Sequence, residues 1–82
     1  MDPLATLNLI FSYLSGQEWD LASDSADDLI EWRQRGGFIP RGGDGGYATD
    51  AVLLRRWAGV VETHRAPLAR RLRRVATLLV TN

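Results

Sequence analysis

The chain has no cysteine and no lysine, and among its 82 residues there is one histidine and one methionine. Each absence removes a class of chemistry. Without cysteine there is neither a disulfide framework nor a thiolate metal site. A lone histidine, His64, gives no basis for an imidazole metal centre. Without lysine, Schiff-base catalysis and a Walker-type phosphate loop are both excluded, since each needs an ammonium group. No apolar run approaches the roughly 20 residues that span a bilayer. The first apolar stretch follows an acid, Asp2, and not the basic segment that opens a secretory signal. The expectation is a cytoplasmic protein with no membrane span, no metal and no cofactor. Alternating strand patterns are missing too: "FI" before Pro40 is too short to count.

What is present is arginine, acid and leucine, unevenly placed. Formal net charge is zero, yet residues 1–32 hold seven acids and no arginine, while residues 33–82 hold ten arginines against three acids. Such a split suits either an anionic partner or an acidic half lying against a basic half. The second reading is the preferred one. A chain of this length is one domain and hides only about 60–65% of its unfolded surface. With disulfides and metal excluded, oligomerisation is the remaining external support for so small a core.

Four helices account for the apolar pattern. In "DPLATLNLIFSYLSG", Asp2 is a candidate N-cap, Pro3 occupies the first turn, and Gly16 is a natural stop. Leu4, Leu7, Ile10, Phe11 and Leu14 fall on one face at helical spacing, with Leu9 and Tyr13 on a second stripe. A helix uncharged from residue 3 to 17 and apolar on two sides calls for cover on two sides. That points to a homodimer with the first helix at its centre. The second helix covers 19–35, with Ala22, Ala26, Leu29, Ile30 and the stem of Arg33 inward, Trp32 beside them, and Asp20, Asp24, Asp27, Asp28 and Glu31 solvated. Ser25 with Asp28 resembles a capping box and offers a start as late as Ala26; Ala22 continues the stripe and favours the earlier start. The third helix, from Thr49 or Asp50 to His64, presents Leu53, Leu54, Trp57, Val60, Val61 and His64 as its expected inner face. Pro67 must break or kink the chain near Arg65 or Ala66. Beyond it, Leu68, Leu72, Val75 and Leu79 face inward and Arg70, Arg73 and Arg74 outward, to about Val80. The fold expected is all-α: a small four-helix domain of two helical hairpins, 3–35 and 49–80, joined by a Gly-rich connector over 36–48. No second copy of the first hairpin follows, so a repeat solenoid is not expected.

The connector, "GGFIPRGGDGGY", holds six of the chain's eight glycines. Gly43, Gly45 and Ala48 satisfy the letter of a dinucleotide fingerprint, but that motif needs a buried strand before it and a parallel sheet around it. Neither is present, and Asp44 would occupy the anion's seat. The glycines read as a helix stop and a turn, with Phe38, Ile39 and Tyr47 pinning the loop to the bundle. Two Arg-Gly-Gly tripeptides in the same loop are too few for an RNA-binding tract.

Two functional classes remain. The favoured one is a small non-catalytic interaction or structural module, self-associating or binding another protein through apolar residues; the candidates are Leu7, Leu9, Phe11, Tyr13, Trp32 and Trp57. The alternative is a nucleic-acid-associated protein using "RAPLARRLRR", whose Arg65, Arg70, Arg73 and Arg74 would neutralise phosphates in a salt-dependent way. Nucleic acid is the less favoured partner, because the chain carries no recognisable DNA-reading motif. Catalysis is not expected. His64 is the chain's one neutral-pH base, and every serine lies far from it in sequence, in the other hairpin.

Overall fold

A computed structural model describes residues 1–39 and 47–80. It contains four helices and, among the described residues, no strand: α1 Pro3–Ser15, α2 Trp19–Gln34, α3 Ala48–Val61 and α4 Ala66–Val80. The all-α class and the four-helix count follow expectation. The α1–α2 and α3–α4 pairs pack as hairpins, and α2 against α4 joins them. One core cluster draws on all four helices, with Ile39 and Tyr47 from the flanks of the connector. The central part of the connector, 40–46, lies outside the described residues, and with it Gly43, Gly45 and the second Arg-Gly-Gly tripeptide.

Helix ends follow from side-chain and backbone capping. Asp2 accepts from the amides of Leu4 and Ala5 at 3.0 and 3.2 Å, a cap of the kind that contributes about 1 kcal/mol. At the other end of α1 the stop is not made by Gly16 alone. Gly16 keeps a negative φ, and Gln17 takes the left-handed conformation at φ 58°. The Gln17 amide donates to Leu14 O and the Glu18 amide to Tyr13 O, at 3.1 and 2.8 Å. This is a Schellman closure with glutamine where glycine is usual. The same closure ends α2 with glycine in place: Gly36 has φ +95°, its amide donates to Arg33 O, and that of Gly37 to Trp32 O. Gly37 has a second constraint, because a Cβ there would run into the Trp32 ring and lie 2.7 Å from its carbonyl oxygen.

The early start of α2 is correct: the helix begins at Trp19, and Ser25 is mid-helix, so the Ser25–Asp28 pair caps nothing. Pro67 marks a true break. A turn over residues 62–64 separates α3 from α4, and Pro67 is the second residue of α4, where its missing amide is not needed. His64 therefore lies beyond α3 and not on its last turn.

The inner face of α3 differs from expectation. Its buried residues are Ala51, Leu54, Ala58 and Val61, while Leu53 and Val60 are exposed and Trp57 is half-buried. The reason is alanine. Counting outward from the short turn of an antiparallel hairpin pairs Ala58 with Ala69 and Ala51 with Ala76. All four are buried at 0–1% exposure. Small residues at matched heights let two helix backbones approach closely, and this pair has the most extensive contact in the molecule. Leu54, Val61, Leu72 and Val75 belong to the same core cluster. The helix is thus rolled so that its small residues, not its largest, meet its neighbour.

Two substitutions test these points. Ala58→Leu inserts three carbons into the seam and should destabilise by about 1–3 kcal/mol in urea unfolding followed by circular dichroism. Gln17→Gly relieves the left-handed residue and should stabilise by about 0.5–1 kcal/mol in the same assay.

Candidate functional site

The roll of α3 leaves an apolar surface uncovered. At about 100° per residue, Val52, Leu53, Arg56, Trp57, Gly59 and Val60 occupy roughly 160° of the helix circumference, all on the side away from α4. Val60 is 60% exposed, Val52 48% and Leu53 38%. Leu53, Arg56, Trp57 and Val60 line a shallow groove of about 180 Å³. A Cβ built on Gly59 would meet nothing within 4 Å.

Trp57 is the fixed element of this surface. Its ring meets Trp19 of α2 edge-on, with centroids 6.4 Å apart, an arrangement that aromatic quadrupoles favour. Trp19 in turn lies 5.6 Å from the His64 ring. The groove therefore has one wall held by the core and two aliphatic residues standing free.

The residues expected to bind a partner are dispersed. Leu7 is in the core at 3% exposure and offers no surface. Phe11, Tyr13, Trp32 and Trp57 are half-buried, packed against the core. Trp32 lies beneath Gly37 at the end of α2. Leu9 is 46% exposed, as is Leu4, but five positions of helix separate their directions by about 140°. Single exposed leucines of this kind are ordinary on a monomer. Of the connector residues, Ile39 and Tyr47 are buried as expected, while Phe38 is 65% exposed and pins nothing. Sequence reasoning missed Val52, Leu53 and Val60 as surface. The signal available was the spacing of Ala51 and Ala58 with Ala69 and Ala76.

The arginines divide into engaged and free. Arg71 of α4 donates from Nε to Asp27 of α2 at 2.6 Å, both side chains about 60% covered. Arg73 donates to Glu62 at 3.0 Å, and Arg65 to the carbonyl of its neighbour His64. Part of the basic half does face the acidic half, at one point. Arg70 and Arg74 are exposed and make no ion pair among the described residues; with Arg71, Gln34 and Pro67 they border a groove between α2 and α4. Arg56 is equally unpaired. Arg33 follows the inner stripe as expected, with its Nε buried and no acceptor beside it among the described residues. Among those residues no three His, Asp or Glu side chains converge to hold a metal ion, and no helix is long and apolar enough to cross a membrane.

Comparisons with protein-family models, with curated proteins and with solved structures found no match to this chain.

The division among the arginines is testable by substitution. Arg71→Ala should lower stability by about 0.5–1 kcal/mol, the screened value for a partly exposed pair. Arg70→Ala with Arg74→Ala should change it by less than about 0.5 kcal/mol, both read from urea midpoints at fixed salt.

Proposed function

We propose that this protein is a small non-catalytic helical module, acting in the cytoplasm, that works by protein–protein contact through the outward face of α3. One observation carries the reading: four apolar residues and a glycine share an exposed arc of one helix, interrupted by a single charge. Scattered apolar residues need no explanation, but a contiguous stripe anchored by a half-buried tryptophan has the make-up of an interface core. The exposed His64 ring sits tilted at 57° against Trp19, which supports a contact role in packing.

Homodimerisation through α1 was the expectation from sequence. α1 buries Leu7, Ile10 and Leu14 within its own chain and exposes Leu4 and Leu9 in different directions, whereas α3 exposes Val52, Leu53 and Val60 on one arc. A second copy on that arc is one outcome that the test below distinguishes.

The nucleic-acid reading keeps one specific support, the unpaired and exposed Arg70 and Arg74. It requires binding that collapses between roughly 50 and 200 mM salt and depends on those two residues.

The test of the favoured reading is Leu53→Ser combined with Val60→Ser. The variant should unfold within about 0.5 kcal/mol of the parent, because a contact surface contributes little to the isolated fold. Destabilisation beyond about 2 kcal/mol would place the stripe in the fold and remove the reading. Light scattering on the parent then divides the cases. A dimer mass that survives high salt and is lost in the double variant makes the partner a second copy. A monomer at all concentrations assigns the face to another chain.

A further inference from the structure

We propose that the occupant of the α3 face is an acidic amphipathic helix from a different protein, with one of its carboxylates pairing with Arg56. This rests on the contact-surface reading above and adds the partner's chemistry to it.

Three observations lead there. The first is the placement of the charge. Arg56 stands near the middle of the exposed arc, three residues after Leu53, four before Val60 and four after Val52, so on a helix it is ringed by apolar neighbours. It lines the groove with Leu53, Trp57 and Val60. Among the described residues no acid pairs with it: the ion pairs there use Arg35, Arg71 and Arg73. The long side chain lies among apolar neighbours and keeps its head group hydrated only while the surface is uncovered. Covering the stripe with a neutral or basic segment would strip that hydration and leave a desolvated cation without a counter-charge, which is strongly unfavourable. Covering it with a helix that brings a carboxylate converts the same residue into a charge-assisted hydrogen bond.

The second is shape. Leu53, Trp57 and Val60 follow i, i+4, i+7 along a straight helix, the spacing that receives an amphipathic helix laid alongside. Gly59, with open space around it, lets that helix approach.

The third observation weighs against the other candidate occupant, a second copy. Residues 48–80 hold seven arginines and two acids. A two-fold dimer that packs α3 on α3 is isologous, so it would press one such surface against its copy. Docking the acidic α1–α2 half of a second copy onto α3 head-to-tail closes only where the rotation completes a ring, and otherwise propagates. A separate acidic chain carries neither requirement.

Two synthetic 18-residue helical peptides provide the test. Both carry leucines at i, i+3, i+4 and i+7; one has glutamates flanking the leucines and its twin has lysines at the same places. Calorimetry in 100 mM salt should find the glutamate peptide bound at least about tenfold more tightly to the parent protein. Arg56→Glu, an exposed substitution whose folding is checked by circular dichroism, should reverse that preference. Equal binding of both peptides, unaffected by Arg56→Glu, would overturn the acidic partner while leaving the contact surface intact. Binding by neither peptide at about 1 mM would also overturn it. Failure of the contact-surface reading itself shows separately, as loss of stability in the Leu53→Ser, Val60→Ser variant.

Discussion

The packing of α3 against α4, with buried alanines on both helices, is the constraint from which most of the molecule follows. Six alanines lie at 0–1% exposure: Ala22 and Ala26 on α2, Ala51 and Ala58 on α3, Ala69 and Ala76 on α4. A chain this short has little apolar volume to spend on filling wide gaps between helices. Bringing backbones together gains dispersion contacts at high density instead. The choice fixes how far each helix is rolled. It also decides which leucines, isoleucines and valines complete the core and which large residues are left outside.

The helix ends serve the same end. Schellman closures at Gln17 and Gly36 turn the chain within two or three residues, and the 62–64 turn sets the register that matches alanine to alanine. The one inter-hairpin ion pair among the described residues, Asp27 with Arg71, is partly exposed and contributes modestly. Its position matters more than its strength, since it joins the acidic and basic halves at the α2–α4 contact.

Much of this architecture was legible in the residues. Asp2 and Pro3 mark the start of α1, the Ala22–Ala26–Leu29–Ile30 stripe defines the inner side of α2, and the arginine-free face of α4 names its core residues correctly. The face of α3 was not legible by the same method. Ranking positions by hydrophobic bulk selects Leu53, Trp57 and Val60, and nothing in α3 alone signals that its neighbour presents alanines at matching heights. The left-handed Gln17 was hidden for a related reason: Gly16 stands beside it and is the residue that such a conformation prefers. The binding residues inferred from α1 failed to gather into one surface because a helix uncharged all round was read as uncovered on two sides, whereas Phe11 and Tyr13 fold their rings against the chain's own core.

The alanine seam has an evolutionary corollary. The buried residues of α3 and the residues it exposes lie on opposite sides of one helix, with the half-buried Trp57 between them. Drift at Val52, Leu53, Arg56 or Val60 can therefore alter recognition without disturbing the scaffold. Drift at Ala51, Ala58, Ala69 or Ala76 is confined to the very smallest side chains. Under the proposed contact role, a lineage of such proteins would diverge quickly in what it binds and slowly in how it folds, with the tryptophan answerable to both pressures.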